Sequence, residues 1–280
     1  MTWKIVADSG CDYREIADLA NQTTFESVPL TIQIDNEIFV DNAHLDIDDM
    51  MEKMYATSTA SKSACPSPDD YLRSFEGAEN IFVVTITGSF SGSHNSAQLA
   101  KKLFLEEHPT ANIHVIDSLS AGGEVDLIVK KLNELIKEGL SFEQVVETIT
   151  HYQKNTKLLF VLAKVDNLVK NGRLSKLIGA VVGLLNIRMV GEASDTGTLE
   201  LLQKARGAKK ALVAAVDEVL KAGYKGGRII IAHRNNEKFC QQFTEVIKEK
   251  FPAADISFLP TSGLCSFYAE EGGLLMGYEI

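Results

Sequence analysis

Two short loops rich in serine, threonine and glycine carry the side chains best suited to hold an anion. One spans residues 61–67 (SKSACPS) and the other spans residues 87–93 (TGSFSGS). The second loop lies between an apolar strand and a helix, where hydroxyls and free backbone N–H groups form an anion cradle. Ser93 is expected to cap that helix, which leaves Ser91 available to a ligand. Alternatively, all of these residues serve only as turn and capping residues.

A third segment, residues 171–176 (NGRLSK), places two cations on an acidic protein. Gly172 is expected to end a helix, and Arg173 and Lys176 then form a local positive spot. The helix predicted next, over residues 175–185, is rich in small residues. These either leave room for a slender apolar ligand or allow tight packing between helices.

The sequence contains none of the common nucleotide, nucleophile or metal motifs. It has neither a G-x-x-x-x-G-K-[ST] phosphate loop nor a G-x-G-x-x-G after a strand. A G-x-S-x-G nucleophile elbow would need serine at position 90, where phenylalanine stands. The six histidines show no metal-ligand spacing, and the four cysteines form no C-x-x-C pair. We therefore expect reduced thiols, no catalytic residue, no metal and no cofactor.

The elements that must position these loops alternate between strands and helices. In residues 1–155, apolar strands near residues 4–7, 80–86 and 112–116 are each followed by a polar loop and a helix. This order predicts an α/β domain with a doubly wound parallel sheet. Ligands bind such sheets at the carboxyl ends of the strands. The first of the helices is expected to begin at Tyr13.

Residues 156–280 are expected to form a second domain of the α+β type, because their strands run in mixed directions. A hairpin is predicted around residues 194–197 (SDTG). The total of 280 residues suits two domains, at about 150 residues each.

Charge and hydropathy argue against two classes of partner. The chain has 28 Lys and Arg against 38 Asp and Glu, a net charge of −10, which opposes binding to a phosphate backbone. No apolar run approaches the roughly 20 residues that cross a bilayer, and the first residues enter a strand pattern without a leader. We expect a cytoplasmic protein with no nucleic-acid partner and no integral membrane association.

In their order along the chain, five motifs resemble those of the DegV family of bacterial lipid-binding proteins. The resemblance covers nearly the whole chain, and the segment at 171–176 is the most diagnostic part. The motifs are ADSGCD at 7–12, KSACPSP at 62–68, TGSFSGSHNSA at 87–97, VIDS at 115–118, and NGRLSK at 171–176 running on to LLNI at 184–187.

The resemblance implies a fold and a function. The fold is a doubly wound domain plus an α+β domain, with one long-chain fatty acid enclosed between them. In the characterised branch of the family, a separate ATP-dependent kinase converts the bound acid to an acyl phosphate for phospholipid synthesis. The DegV-like chain is then a non-catalytic binding subunit. Ser63 and Ser91 match the hydroxyl residues that contact the fatty-acid carboxylate in the family.

The chain departs from the family pattern at two motifs. Ala-Cys stands at positions 64–65, where the family commonly has Ser-Gln. The family's G-T-H-T-G-P-G-A corresponds here to residues 260–266 (PTSGLCS), without the His or the Pro. A hydroxyl of Thr261 or Ser262 would have to replace the His, so these residues and Gly92 are weaker head-group candidates.

Arg173 allows two interpretations. Arg173 either belongs to a basic docking spot, for an acidic kinase surface or the transferring phosphate, or is a structural turn residue.

One alternative function of the protein is a lipid sensor or carrier that is not coupled to a kinase. Another is a stand-alone enzyme that acts on a small acyl or phosphorylated substrate. The predicted walls of the lipid slot are residues 158–162, 178–185, Leu259, Leu264, Phe267 and 274–276.

Overall fold

The computed structural model describes residues 1–174 and 186–280, and the helix predicted over residues 175–185 lies outside them. The strands are β1 (Trp3–Asp8), β2 (Thr23–Val28), β3 (Thr31–Ile34), β4 (Glu37–Val40), β5 (Lys62–Ala64), β6 (Asn80–Thr85), β7 (Asn112–Asp117), β8 (Thr156–Leu162), β9 (Ile187–Ala193), β10 (Leu199–Arg206), β11 (Arg228–His233), β12 (Asp255–Pro260) and β13 (Leu274–Glu279). The described helices are α1 (Ile47–Ala56), α2 (Pro68–Phe75), α3 (Ser93–Glu107), α4 (Gly123–Lys137), α5 (Phe142–Gln153), α6 (Asp166–Lys170), α7 (Gly207–Lys221), α8 (Glu237–Lys250) and α9 (Gly263–Ala269).

The N-terminal sheet is parallel and has the strand order β2-β1-β6-β7. Every residue of β6 is buried, as expected for a strand with both faces covered. Ile5 and Phe82 contribute to a core with α4 and α5, whereas Val6 and Val83 contribute to a core with α2 and α3. Helices on both faces make this the doubly wound parallel sheet that the sequence predicts.

The helix predicted from Tyr13 is absent, and this prediction is wrong. The chain between β1 and β2 is irregular, and side chains of α4 hydrogen-bond its backbone. Asp126 Oδ1 accepts from the Asp12 N–H at 2.8 Å, and Asn133 Oδ1 accepts from the Ala20 N–H at 2.8 Å. These tertiary hydrogen bonds override the helical pattern of the local sequence.

The C-terminal sheet is mixed and has the strand order β10-β9-β8-β13-β11-β12. Strands β11 and β12 are parallel, and the other neighbours are antiparallel. The hairpin predicted around residues 194–197 joins β9 to β10, and α7 and α8 cover one face of the sheet. This half therefore has the mixed strand directions that the sequence predicts. The placement of a domain boundary at residues 155–156 stays a prediction.

A third, small sheet has the order β4-β3-β5 and packs on α1. Its strand β5 carries Ser63, which pairs with Ile32 of β3. None of the helices in the described ranges is both long and apolar enough to cross a bilayer.

The first turn of α4 contacts β13 through two glycines. A Cβ atom on Gly277 would lie 2.3 Å from the carbonyl oxygen of Gly123, and one on Gly123 would lie 2.7 Å from the Gly277 nitrogen. Real Cβ contacts are longer than this, so only glycine allows the two backbones to meet at this point. The contact joins the helix layer of the N-terminal sheet to the C-terminal sheet.

Candidate functional site

A cavity of about 320 Å³ lies between the N-terminal loops and one face of the C-terminal sheet. The chain segments that follow β2, β6 and β7 contribute Leu30, Ile86 and Leu119, and the C-terminal sheet contributes Phe160 and Leu275. The first three residues follow the carboxyl ends of parallel strands, where the fold places ligands. The wall is predominantly apolar.

Alternation along β8 decides which of its residues face the cavity. Leu158, Phe160 and Leu162 line it, whereas Leu159 and Val161 point into the core beneath α7 and α8. Successive side chains of a strand point to opposite faces of the sheet. The prediction that residues 158–162 form a wall is therefore right for every second residue.

The other predicted walls divide in a similar way. Leu264 and Leu275 line the cavity. Residues 178–185 lie outside the described residues. Leu274 and Met276, the neighbours of Leu275 along β13, point to the opposite face of the sheet. Leu259 and Phe267 pack elsewhere in the core. Besides Leu159 and Val161, the described wall candidates that do not line the cavity are Leu259, Phe267, Leu274 and Met276.

Three of the predicted head-group residues and the predicted docking residue line this cavity. Ser63, Ser91, Gly92 and Arg173 all line it, although they come from three separate segments of the chain. Gly92 and the neighbouring Cys65 are exposed, which places the opening of the cavity beside the hydroxyls. The structure therefore combines an apolar interior with a polar opening.

Ser63 is half-buried in β5 and hydrogen-bonds to a residue that the sequence analysis did not single out. Its Oγ atom lies 2.7 Å from the phenol oxygen of Tyr268 in α9, and Tyr268 also lines the cavity. The two residues are 205 positions apart in the sequence. No local motif signals this pairing, because it depends on how α9 packs against the small sheet.

The loop before α3 differs from its predicted capping pattern. The N-cap residue is Gly92, and Ser93 is already the first residue of the helix. The Ser93 hydroxyl donates to Asp8, whereas the Ser91 Oγ atom accepts from the Ser93 N–H at 3.2 Å. Ser91 thus uses a lone pair for the helix, and no acceptor in residues 1–174 or 186–280 takes its proton, which is therefore available to an anion.

Asp8 is the buried residue that fixes this loop. Its carboxylate accepts hydrogen bonds from the Ile86 N–H at 3.0 and 3.1 Å, from the Gly10 N–H at 3.0 Å, and from the Ser93 hydroxyl. Burial raises the pKa of Asp8 to about 6, because desolvation outweighs the hydrogen bonds that favour the charged form. Asp8 ties the ends of β1 and β6 to the first turn of α3.

Arg173 approaches the same opening from the C-terminal half of the chain. Its guanidinium donates to the backbone carbonyls of Asn171 and Phe90, the latter at 3.3 Å. Both bonds go to neutral acceptors, so the positive charge is directed to the loop at 87–93 without being neutralised by these contacts. The second cation of the predicted spot, Lys176, lies outside the described residues.

Thr261 and Ser262 do not contribute to the cavity wall as the described residues form it. Both are buried, and their hydroxyls are used within the protein. Thr261 Oγ1 lies 2.8 Å from the hydroxyl of Ser266, and the Ser262 hydroxyl donates to Asp12 at 2.8 Å. This geometry disfavours the two residues as head-group contacts.

Within residues 1–174 and 186–280, no group of three or more His, Cys, Asp or Glu side chains has an arrangement that could hold a metal ion.

The chain is similar to other bacterial proteins over its full length. A family model described as "Uncharacterised protein, DegV family" matches residues 2–278. A DegV domain-containing protein of Streptococcus gordonii is 78% identical over 280 residues, with 100% of both chains covered.

Two crystal structures show the same fold with a fatty acid bound. The Streptococcus pneumoniae Fatty Acid Kinase (Fak) B3 protein, loaded with linoleic acid, is 77% identical with a TM-score of 0.98, and 100% of both chains is covered. A DegV family protein from Eubacterium eligens, loaded with heptadecanoic acid, is 40% identical with a TM-score of 0.94, and 99% of both chains is covered. The present chain belongs to the DegV family.

Proposed function

We propose that this protein binds one long-chain fatty acid in the cavity between its N-terminal and C-terminal halves. The observation that carries the proposal is the composition of the cavity wall, which is mostly apolar and includes Ser63, Ser91 and Arg173 beside the exposed Gly92. A fatty acid has the matching form, with a long apolar chain and one anionic head. The fatty acids in the Streptococcus pneumoniae and Eubacterium eligens structures support this choice of ligand.

The apolar chain supplies most of the binding free energy. Burial of about 14 methylenes at roughly 0.8 kcal/mol each sets an upper limit near 11 kcal/mol. Association costs several kcal/mol of this, and the remainder still supports tight binding. The buried side chains of Leu158, Phe160, Leu264 and Leu275 provide the surface that the acyl chain would contact.

The hydroxyls of Ser63 and Ser91 hold the carboxylate at the opening. The Ser91 proton has no acceptor in the described part of the chain, and the exposed backbone at Gly92 lies beside it. Neutral donors stabilise a carboxylate less than a bidentate guanidinium does, so they leave its oxygens more nucleophilic. That property suits a carboxylate that is to attack a phosphoryl group.

The bound acid is presented to a separate ATP-dependent kinase, which forms an acyl phosphate for phospholipid synthesis. A head group at the opening is accessible to a second protein, whereas an acyl chain inside is shielded. The similarity to a fatty acid kinase B3 protein at 77% identity supports this role. Arg173, beside the head group, would dock that kinase or face the transferring phosphate.

The first experiment identifies the ligand. We would denature the purified protein in organic solvent and analyse the extract by mass spectrometry, then measure binding of oleate and decanoate to delipidated protein. We expect close to one fatty acid per chain and binding of decanoate at least about a hundredfold weaker than oleate, because about eight chain carbons are lost. A clean extract together with no binding of oleate would contradict the proposal.

A second experiment tests the coupling to a kinase. Oleate-loaded protein would be incubated with ATP and a bacterial fatty acid kinase catalytic subunit, and the acyl phosphate trapped with hydroxylamine as a hydroxamate. We expect hydroxamate only when both proteins and ATP are present. Tight oleate binding without any product would indicate a sensor or carrier, and product formed without the kinase would indicate an enzyme.

A further inference from the structure

Tyr268 is a polar residue of the cavity wall that is not among the proposed contacts of the fatty-acid carboxylate. Its phenol oxygen lies 2.7 Å from Ser63 Oγ, and its ring packs edge-on against Phe267, with ring centroids 4.8 Å apart. Among the hydroxyl side chains of the segment 261–269, Tyr268 lines the cavity, whereas Thr261 and Ser266 bond to each other. The packing of its ring holds the phenol at Ser63.

The direction of the bond between Tyr268 and Ser63 follows from the chemistry of the ligand. Without a ligand, either oxygen can donate, because each hydroxyl has one proton and two lone pairs. A carboxylate can only accept hydrogen bonds, so Ser63 must use its single proton for the ligand. Tyr268 must then be the donor to Ser63, since Ser63 has no second proton.

We propose that Tyr268 is a positioning residue for the head group, whose phenol donates to Ser63 and thereby directs the Ser63 proton to the fatty-acid carboxylate. This inference rests on the proposed binding of a fatty acid in this cavity. Hydrogen bonds in a chain polarise one another, so a Ser63 hydroxyl that accepts from Tyr268 is also a better donor. The site would thus offer the carboxylate a relay of two hydroxyls in addition to the single hydroxyl of Ser91.

The test compares two ligands in a Tyr268→Phe variant, which keeps the ring and removes only the hydroxyl. We expect oleate to bind about tenfold more weakly, the effect of losing one hydrogen bond in a chain that ends on a charged group. Oleyl alcohol should bind within about twofold of the wild type, because a hydroxyl ligand can donate as well as accept. The control Tyr224→Phe removes a phenol that donates to the Gly227 carbonyl at 2.7 Å, away from the cavity, and should leave both affinities unchanged.

A titration supplies a second readout that a purely structural role would not move. With oleate labelled with ¹³C at the carboxyl carbon, NMR reports the pH at which the bound acid takes up a proton. Hydrogen-bond donors to the carboxylate lower the pKa of the bound fatty acid. Tyr268→Phe should therefore raise this pKa by about one unit, which corresponds to the tenfold loss of oleate affinity.

A double variant isolates the dependence on Ser63. In a Ser63→Ala background, the additional Tyr268→Phe substitution should alter oleate affinity by less than about twofold, since no hydroxyl remains to be directed.

Three results would overturn the inference. Oleate binding that is unchanged in Tyr268→Phe would show that the phenol does not act on the head group. An equal loss of oleate and oleyl alcohol would show a structural role, as would a tenfold loss that persists in the Ser63→Ala background. A wild-type protein that binds neither ligand would instead remove the proposed function itself.

Discussion

The hydroxyl of Ser93 donates a buried hydrogen bond to Asp8 Oδ2, which connects the first residue of α3 to the end of β1. Tyr71 lies on the other side of the same hydroxyl, with its phenol oxygen 2.6 Å from Ser93 Oγ. With its hydroxyl engaged by these two residues, Ser93 donates its backbone N–H to Ser91 Oγ at 3.2 Å. The position of the Ser91 hydroxyl at the cavity therefore depends on a carboxylate 83 residues earlier in the chain.

Ser91→Ala is expected to weaken oleate binding about tenfold, because it removes a hydroxyl that donates to a charged group. The measurement is the dissociation constant by titration of delipidated protein. Ser89→Ala is the matched control: its hydroxyl belongs to the same loop, but it donates to the Thr196 carbonyl and does not line the cavity. Equal affinities for the Ser91 and Ser89 variants would refute the assignment of Ser91.

Arg173→Gln is expected to separate lipid binding from transfer of the phosphoryl group. The guanidinium is partly exposed, where the attraction between charges is screened, so oleate affinity should stay within about threefold. The rate of acyl hydroxamate formation with the kinase should fall at least about tenfold. Lys170→Gln, an exposed cation three residues earlier that is absent from the cavity wall, should change neither quantity. A loss of oleate affinity as large as that in Ser91→Ala would place Arg173 on the head group instead.

Glu124 predicts a specific dependence of stability on pH. Burial raises its pKa to about 6, so between its unfolded value and pH 6 the folded protein holds more protons than the unfolded chain. The contribution of Glu124 to stability is therefore greatest at low pH, declines as the pH rises to about 6, and then levels off. Glu124→Gln should be more stable than the wild type at pH 7.5, by up to about 2 kcal/mol.

The Glu124 prediction is checked by urea unfolding at pH 5.0 and pH 7.5. The difference in free energy of unfolding between Glu124→Gln and the wild type should become smaller as the pH is lowered. The substitution keeps the hydrogen bond at this position, because the glutamine oxygen can still accept from Thr156. Glu147→Gln, an exposed position on α5, should show no such change with pH. A constant difference at both pH values would mean that the charge of Glu124 is not the cause.

Gly277→Ala is expected to lower the free energy of unfolding by about 3 kcal/mol or more, because its Cβ atom would lie 2.3 Å from the Gly123 carbonyl oxygen. The three nearest atoms, which are this oxygen and the nitrogen and Cα of Glu124, all belong to the backbone, so they cannot rotate away. Gly139→Ala is the control: it has a positive φ of 76° but no atom within 4 Å of a new Cβ atom, and should cost only about 1 kcal/mol. Thermal and urea unfolding compare the two, and equal losses would show that the contact between α4 and β13 is not tight.

The order of strands and helices is predictable from the sequence because it depends on local patterns. The apolar runs at β1, β6 and β7, each followed by a polar loop, indicate a parallel sheet with helices on both faces. Serine and glycine at the ends of these strands indicate where a ligand binds, since parallel strands bring their carboxyl ends to one edge. Local patterns fail for the segment that begins at Tyr13, because hydrogen bonds to α4 replace the expected helix.

The roles of individual hydroxyls were decided by tertiary structure. The local sequence assigns Ser93 to the helix cap, whereas in the structure Ser93 is the first residue of the helix and its hydroxyl donates to the buried carboxylate of Asp8. Tyr268 reaches Ser63 from a distance of 205 residues. Strand and helix periodicity act over a few residues, whereas a hydrogen bond between distant segments exists only once the sheets have packed. The sequence thus determined which kinds of side chain are available near the ends of the strands, and the packing of the sheets decided which of them line the cavity.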